Sequence, residues 1–96
     1  MHDERERLRV MVTREVVSAE MLSVGDRVSA PGQWCSGVVV EVREATHALA
    51  AAYGAYAVDV EYERTIEADR VKFGTHYVHT YTAFPGFGFL RSAGRA

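Results

Sequence analysis

Apolar and polar residues alternate along much of this chain, which is the period of a half-buried β-strand. The alternation is cleanest in residues 56–63, where Tyr and Val face one way and acidic residues face the other. Further strands are predicted where β-branched and aromatic residues concentrate, over residues 8–17, 27–30, 38–44 and 76–84. In the strand over 38–44 the pattern places three valines on one face, opposite to the other three side chains: Val38, Val40 and Val42 against Val39, Glu41 and Arg43.

Glycine, proline and alanine mark breaks between these strands. Gly25 and Asp26 predict a tight turn, because glycine adopts backbone angles that other residues resist and aspartate hydrogen-bonds to nearby backbone. Pro31-Gly32 ends the strand that follows, since proline donates no ladder hydrogen bond. The alanine-rich residues 45–54 predict a short helix inserted into a hairpin.

Two other segments connect the predicted strands. Residues 18–22 predict a single helical turn, whose Met21 and Leu22 are expected to close the open end of a barrel. Residues 66–73 predict a turn that leads into a short strand. The strand over 76–84 is therefore expected to be the last one.

The length of 96 residues indicates one domain with a single modest core. We expect a charged N-terminal arm over residues 1–7 and a β-domain over residues 8–84. Beyond it, residues 85–96 are expected to form a basic tail rich in Gly and Phe.

Composition narrows the class of protein. A net charge of −2 argues against a surface built throughout for nucleic acid, which would be strongly basic. The single cysteine, Cys35, cannot form an internal disulfide, so a reducing compartment is expected. No apolar stretch approaches the roughly 20 residues that span a bilayer. We therefore expect a cytoplasmic protein that does not bind membranes.

The segment from Leu22 to Phe73 resembles the SH3-like small β-barrels, the superfamily of the KOW, Tudor and RNA-polymerase-interacting domains. In KOW modules a Gly-Asp turn precedes one strand and a later glycine opens the next, as Gly25-Asp26 and Gly37 do here. The chain is also similar to small proteins of actinobacteria and their phages. The resemblance implies an all-β fold, an SH3-like small barrel of about five strands with a short helical insertion in one hairpin.

Two segments depart from that family pattern. Residues 31–37 carry Trp34 and Cys35 and no positive charge, where KOW modules tend to be small and basic. The alanine-rich insertion over residues 45–53 matches none of these domains. The first departure argues against carrying RNA binding over to this chain.

Candidate metal and catalytic groups are few. His76 and His79 lie three residues apart on a predicted strand, so their side chains point to opposite faces and do not chelate one ion. Cys35 as a nucleophile would need a neighbouring base, and nothing in the sequence places His47, His76 or His79 beside it. We predict no catalytic residue, no metal and no cofactor.

Acidic residues concentrate in the middle of the chain. They alternate with apolar residues, which is typical of a solvated sheet face rather than of two catalytic carboxylates in a cleft. Such a face repels nucleic acid or contacts a basic partner, with Arg43 and Arg64 keeping like charges apart. The set comprises Glu41, Glu44, Asp59, Glu61, Glu63, Glu67 and Asp69.

The segment from Tyr77 to Arg91 interleaves aromatic residues with glycine, and it admits three interpretations. Its aromatic side chains seal the core, bind a protein partner as interface hot spots, or stack on unpaired bases. The partner-binding residues predicted from this segment and from the loop near residue 34 are Trp34, Tyr77, Tyr81, Phe84, Phe87, Phe89 and Arg91.

We therefore expect a non-enzymatic interaction module, an accessory protein of a phage or prophage that binds a host protein or a second copy of itself as a homodimer. The alternative is a nucleic-acid or transcription-complex binding module of the KOW or RNA-polymerase-interacting type. The barrel pattern and the aromatic residues outside the minimal barrel are common to both hypotheses.

Overall fold

Six antiparallel strands form one sheet in the structure, a computed structural model that describes residues 14–32 and 35–92. In chain order the strands are β1 (Arg14–Ser18), β2 (Arg27–Ser29), β3 (Gly37–Glu44), β4 (Tyr56–Glu63), β5 (His76–Ala83) and β6 (Gly88–Ser92). Across the sheet their order is β1-β6-β2-β3-β4-β5. The predicted arm over residues 1–7 and the first part of the predicted strand over 8–17 lie outside the described residues.

The mostly-β fold class is confirmed, but the sheet is not closed into a barrel. Closure would require its two edge strands to hydrogen-bond to each other. β1 and β5 occupy the two edges, and among the described residues they do not pair. The expected barrel of about five strands is therefore corrected to an open six-stranded sheet.

The last strand explains part of this difference. β6 lies between β1 and β2, pairing Val17 with Phe89 on one side and Val28 with Arg91 on the other. Residues 88–92 are therefore part of the sheet, and a boundary after residue 84 does not separate domain from tail. Phe89 is fully buried, which is why an aromatic residue occupies that position.

The core lies on one face of the sheet. Its fully buried side chains come from β2, β3, β4 and β6, and they are Val28, Val39, Val58, Val60, Tyr62 and Phe89. A β-bulge between Val39 and Glu41 interrupts the regular alternation predicted for β3. Val39 is buried and Val42 packs against the core, whereas Val40 is exposed.

The Gly25-Asp26 turn before β2 is confirmed. Gly25 has a φ of 98°, in the region that favours glycine. The Asp26 carboxylate accepts a hydrogen bond from the Ser23 N–H at 2.9 Å, and the Gly25 N–H donates to the Val39 carbonyl at 2.8 Å. The turn is thereby joined to β3.

Short helical segments fill three connections. A 3-10 turn over Ala19–Met21 confirms the predicted helical turn, and Leu22 after it is buried while Met21 is exposed. Helix α1 (Ala48–Ala52) confirms the insertion between β3 and β4.

Helix α2 (Glu67–Phe73) replaces the predicted turn and strand, so that prediction is wrong. Its first turn is acidic and its last turn basic, which favours a helix through its dipole. Among the described residues, no helix has the length and apolar character needed to cross a membrane.

Candidate interaction surface

One of the predicted partner-binding residues belongs to the core, and two others are half-buried against it. Phe89 is fully buried, and Tyr81 and Phe87 pack against the core beside it. The ring centroids of Phe87 and Phe89 lie 5.0 Å apart, and those of Tyr81 and Phe89 lie 5.7 Å apart. Phe89 is withdrawn from the predicted set, because a side chain without exposed surface contacts no partner.

A pair of tyrosines completes this aromatic core. The hydroxyl oxygens of Tyr62 on β4 and Tyr81 on β5 lie 2.6 Å apart. Burial, together with this hydrogen bond, raises the pKa of Tyr62 above its ordinary value. This hydrogen bond joins the side chains of β4 and β5.

Arg91 is tied into the fold by acidic partners. Its guanidinium forms an ion pair with Glu15 on β1, lies 3.4 Å from the Asp26 carboxylate and donates to the Met21 carbonyl at 3.3 Å. The hydrogen bond to Glu15 raises the pKa of Arg91. This side chain joins β6 to β1 and to the Gly25-Asp26 turn, so its donors are directed at protein groups.

The remaining predicted residues do not form one site. Trp34 lies outside the described residues. Tyr77 is near the beginning of β5 and Phe84 follows its end, so the two are separated by the length of that strand. Both are exposed.

An arginine-centred cluster lies at the beginning of β5. The Arg64 guanidinium carbon is 5.5 Å from the Phe73 ring centroid and 5.1 Å from that of Tyr77, within the range of cation–π attraction. The Lys72 ammonium lies 5.3 Å from the Phe73 ring. We call Arg64, Lys72, Phe73 and Tyr77 the Arg64 cluster. Tyr77 also stacks on buried Tyr62 at 5.5 Å, which anchors the cluster to the core.

Arginine side chains, and not apolar burial, hold α2 against the sheet. None of the residues of α2 is buried. Arg64 donates to the His76 carbonyl at 3.0 Å, and Arg70 donates to the Arg64 carbonyl at 2.7 Å and pairs with Glu63 at 3.2 Å. The helix is therefore fixed in place while its apolar side chains stay open to solvent.

Exposed apolar side chains of α2 adjoin this cluster. Val71 is 78% exposed and Phe73 59%, whereas Val78, 53% exposed, lies across from Glu61 on the other face of the sheet from Tyr77. Since single exposed apolar residues are common but contiguous ones indicate contact surfaces, α2 and the beginning of β5 form the candidate interaction surface.

The face of β3, β4 and β5 that is turned away from the core carries the charged side chains of these strands, as predicted for β4. Glu41 lies directly across from Asp59, so like charges are opposed, and Arg43 lies between them at 3.5 Å and 2.8 Å. The Thr80 hydroxyl donates to the other Asp59 oxygen at 2.6 Å. These contacts lower the pKa of Asp59, the Thr80 hydrogen bond most of all.

The candidate nucleophile and metal ligands are spread over the fold. Cys35 is exposed in the loop before β3. The unbroken register of β5 places His76 across from Glu63 and His79 across from Val60, on opposite faces of the sheet as predicted. Within residues 14–32 and 35–92, no group of three or more His, Cys, Asp or Glu side chains is arranged to hold a metal ion.

The predicted partner-binding set does not include Arg64, Val71 or Phe73, because residues 66–73 predict a turn that leads into a short strand and Arg64 is assigned to the acidic face. The signal for a helix was present: acidic residues precede basic ones over two turns, and Gly74 follows as a stop. Gly74 has a φ of 97°, which suits a glycine at a helix end.

Comparison of the chain with protein families, curated proteins and solved structures finds no match.

Proposed function

We propose that this protein is a non-enzymatic interaction module that binds a protein partner through the Arg64 cluster and the neighbouring exposed residues of α2 and β5. The observation that supports the proposal is a helix with none of its residues buried, presenting Val71 and Phe73 to solvent beside an arginine. A helix in a small domain is normally stabilised by burying an apolar face. Here the apolar side chains are left for another surface to cover.

The chemistry of the cluster matches that of protein interfaces. Tyrosine and arginine are enriched among residues whose truncation costs most in binding, and aromatic rings bury large apolar areas. The Tyr77 ring stacks on buried Tyr62, and the Arg64 guanidinium donates to the His76 carbonyl, so both side chains are held in place. Side chains that are already ordered lose less conformational entropy on binding.

Nucleic-acid binding, the alternative, has less support from the described residues. Base stacking needs exposed aromatic rings near basic groups, a combination that the Arg64 cluster has in Phe73 and Lys72 but that the residues predicted near the end of the chain lack. Phe89 is buried, and Arg91 is engaged with Glu15 and Asp26. The link to phages or prophages stays a prediction from sequence.

The proposal is tested with a matched pair of aromatic variants. Phe73→Ala removes the exposed ring of the Arg64 cluster, and Tyr53→Ala removes an equally exposed ring, 66% against 59%, at the end of α1. Tagged chains are used to recover partners from lysates of the natural host with and without nuclease treatment, and bound proteins are quantified by mass spectrometry.

We expect Phe73→Ala to reduce recovery of a specific protein at least about tenfold, as truncation of a hot-spot residue does. Tyr53→Ala should leave recovery unchanged. Equal recovery by both variants would contradict the proposed surface. Loss of binding on nuclease treatment of the wild type would favour the nucleic-acid alternative.

A further inference from the structure

β5 lies at one edge of the sheet formed by the described residues, and its sequence lacks the charges, proline and bulge by which sheets protect their edges. Natural edge strands are kept short, or carry charges, proline or a bulge, because their unpaired backbone groups otherwise pair with another strand. β5 has eight residues, as many as β3 and β4 inside the sheet. Residues 76–83 contain no Lys, Arg, Asp, Glu or Pro, and their register with β4 is unbroken.

The opposite edge shows the contrast. Within its described residues β1 includes Arg14 and Glu15. A charged strand is a poor template for another strand. The lack of protection is therefore particular to β5, although both strands border the same sheet.

The backbone of β5 offers a defined set of hydrogen-bonding groups. The Arg64 N–H donates to the Thr75 carbonyl at 2.7 Å, which makes this a hydrogen-bonded pair of the β4–β5 ladder. Because such pairs alternate in antiparallel sheets, the N–H and C=O groups of every second residue of β5 point away from β4. These residues are His76, Val78, Thr80 and Thr82, and of their outward groups the His76 carbonyl already accepts a hydrogen bond from Arg64.

We infer that the partner at this edge is a second copy of the chain, whose β5 pairs antiparallel with β5 about a two-fold axis near His79 and Thr80. Such an axis, perpendicular to the sheet, keeps the core-facing side of both sheets on the same side. An isologous contact requires a self-complementary strand. An uncharged strand meets this requirement, because no like charges are placed opposite each other.

The ends of β5 support the same arrangement. Antiparallel pairing brings the beginning of one strand beside the end of the other. Exposed Phe73 and basic Lys72 in the last turn of α2 lie at the beginning. Exposed Phe84 lies at the end and shares a cleft with Glu20. Each copy therefore presents Phe73 and Lys72 to Phe84 and Glu20 of the other copy, and at the α2 end Arg70 is already paired with Glu63 and Glu67.

This inference rests on the proposed function, since it names the partner that covers the candidate interaction surface. It is tested on the full chain by sedimentation equilibrium from micromolar to near-millimolar concentration. The variant Val78→Lys places a charge on the β5 edge, and Val16→Lys places the same charge on the β1 edge. Both valines are exposed, so neither change alters the core.

We expect the wild type and Val16→Lys to dimerise with similar dissociation constants, and Val78→Lys to dissociate at least tenfold more readily. A wild type that stays monomeric throughout, or equal dimerisation by both variants, would overturn the inference. Circular dichroism verifies that each variant is folded. A second variant, Val78→Pro, removes one outward donor without removing a bond to β4.

Amide hydrogen exchange of the wild type provides an independent test. The amides of Val78, Thr80 and Thr82 should become protected as concentration rises, while those of Tyr77, His79 and Tyr81 are protected already. Rapid exchange of the outward amides at every concentration would refute self-pairing. If the chain is monomeric but Phe73→Ala still recovers less of a specific protein from lysate, self-pairing is wrong and the proposed function stands. If the chain dimerises through β5 but Phe73→Ala recovers partners as the wild type does, self-pairing stands and the proposed function is wrong.

Discussion

At Asp59, two hydrogen bonds offset the repulsion between like charges on neighbouring strands. It faces Glu41 across β3 and β4, an unfavourable pairing of like charges. Arg43 and Thr80 offset this by donating to its two carboxylate oxygens at 2.8 Å and 2.6 Å. The charged form of Asp59 is thereby favoured, and its pKa lies below the ordinary value.

The lowered pKa predicts a pH-dependent effect of Asp59→Asn. A carboxyl group with a lower pKa in the folded than in the unfolded state adds stability above its unfolded pKa, about 3.9, and loses it as pH falls through its folded pKa. We expect the variant to be modestly less stable at pH 7, with the difference shrinking below about pH 4.

Urea unfolding followed by circular dichroism at several pH values measures this difference. Glu61→Gln, on the same strand, is a suitable control for removal of a charge. A difference that stays constant down to acidic pH would show that the Asp59 contacts do not depend on its charge.

At the scale of elements, β3 and β4 pack so closely that one position admits only glycine. A Cβ atom on Gly37 would lie 2.7 Å from the Glu61 carbonyl oxygen and 2.5 Å from a methyl carbon of Val60. The first of these is backbone, which cannot rotate away. The glycine that resembles the opening residue of a KOW strand is thus required here by contact with β4.

Gly37→Ala is expected to destabilise the protein by about 1–3 kcal/mol, the usual cost of adding a methyl group to a packed core. Chemical denaturation gives the change in midpoint. Ser36→Ala, one residue earlier, removes only a 3.4 Å hydrogen bond from Arg27 and should change the midpoint little. If the denaturation midpoint of Gly37→Ala is unchanged, β3 and β4 can move apart to accommodate a methyl group without loss of stability, and the prediction is wrong.

Elements also differ in how far local sequence predicts them. β4 and α1 were predicted correctly, since strict alternation and an alanine run are local signals. α2 was not, because its stabilising contacts come from Glu63 and Arg64, which precede the helix. The charge order along residues 67–72 was the signal that pointed to a helix.

At the scale of the whole molecule, β6, the last strand described, pairs with β1, the first. β6 separates β1 from β2 and contributes Phe89 to the core and Arg91 to the ion pairs with Glu15 and Asp26. Neither β1 nor β2 has another partner on that side of the sheet within the described residues. The middle of the sheet therefore depends on residues far apart in sequence.

We expect a chain ending at residue 86 to be unfolded. Loss of the Phe89 side chain alone costs about 3–5 kcal/mol, a large part of the 5–15 kcal/mol by which small domains are stable. A chain ending at Ser92 keeps every described strand and should remain folded. Near-ultraviolet circular dichroism and amide dispersion distinguish the two, and a folded chain ending at residue 86 would restore the domain boundary predicted at residue 84.

The sequence by itself determined where most strands, the Gly25-Asp26 turn and helix α1 lie, because alternation, glycine backbone freedom and alanine propensity act between neighbouring residues. Only the tertiary structure decided that β6 enters between β1 and β2, that a bulge turns Val39 inward and that β5 lies at an edge of the described sheet. Strand partners are selected by contacts between residues distant in the chain, and the period of a strand carries no information about which strand it joins. The candidate function moved accordingly, from the aromatic residues that proved to be core to the Arg64 cluster and the β5 edge.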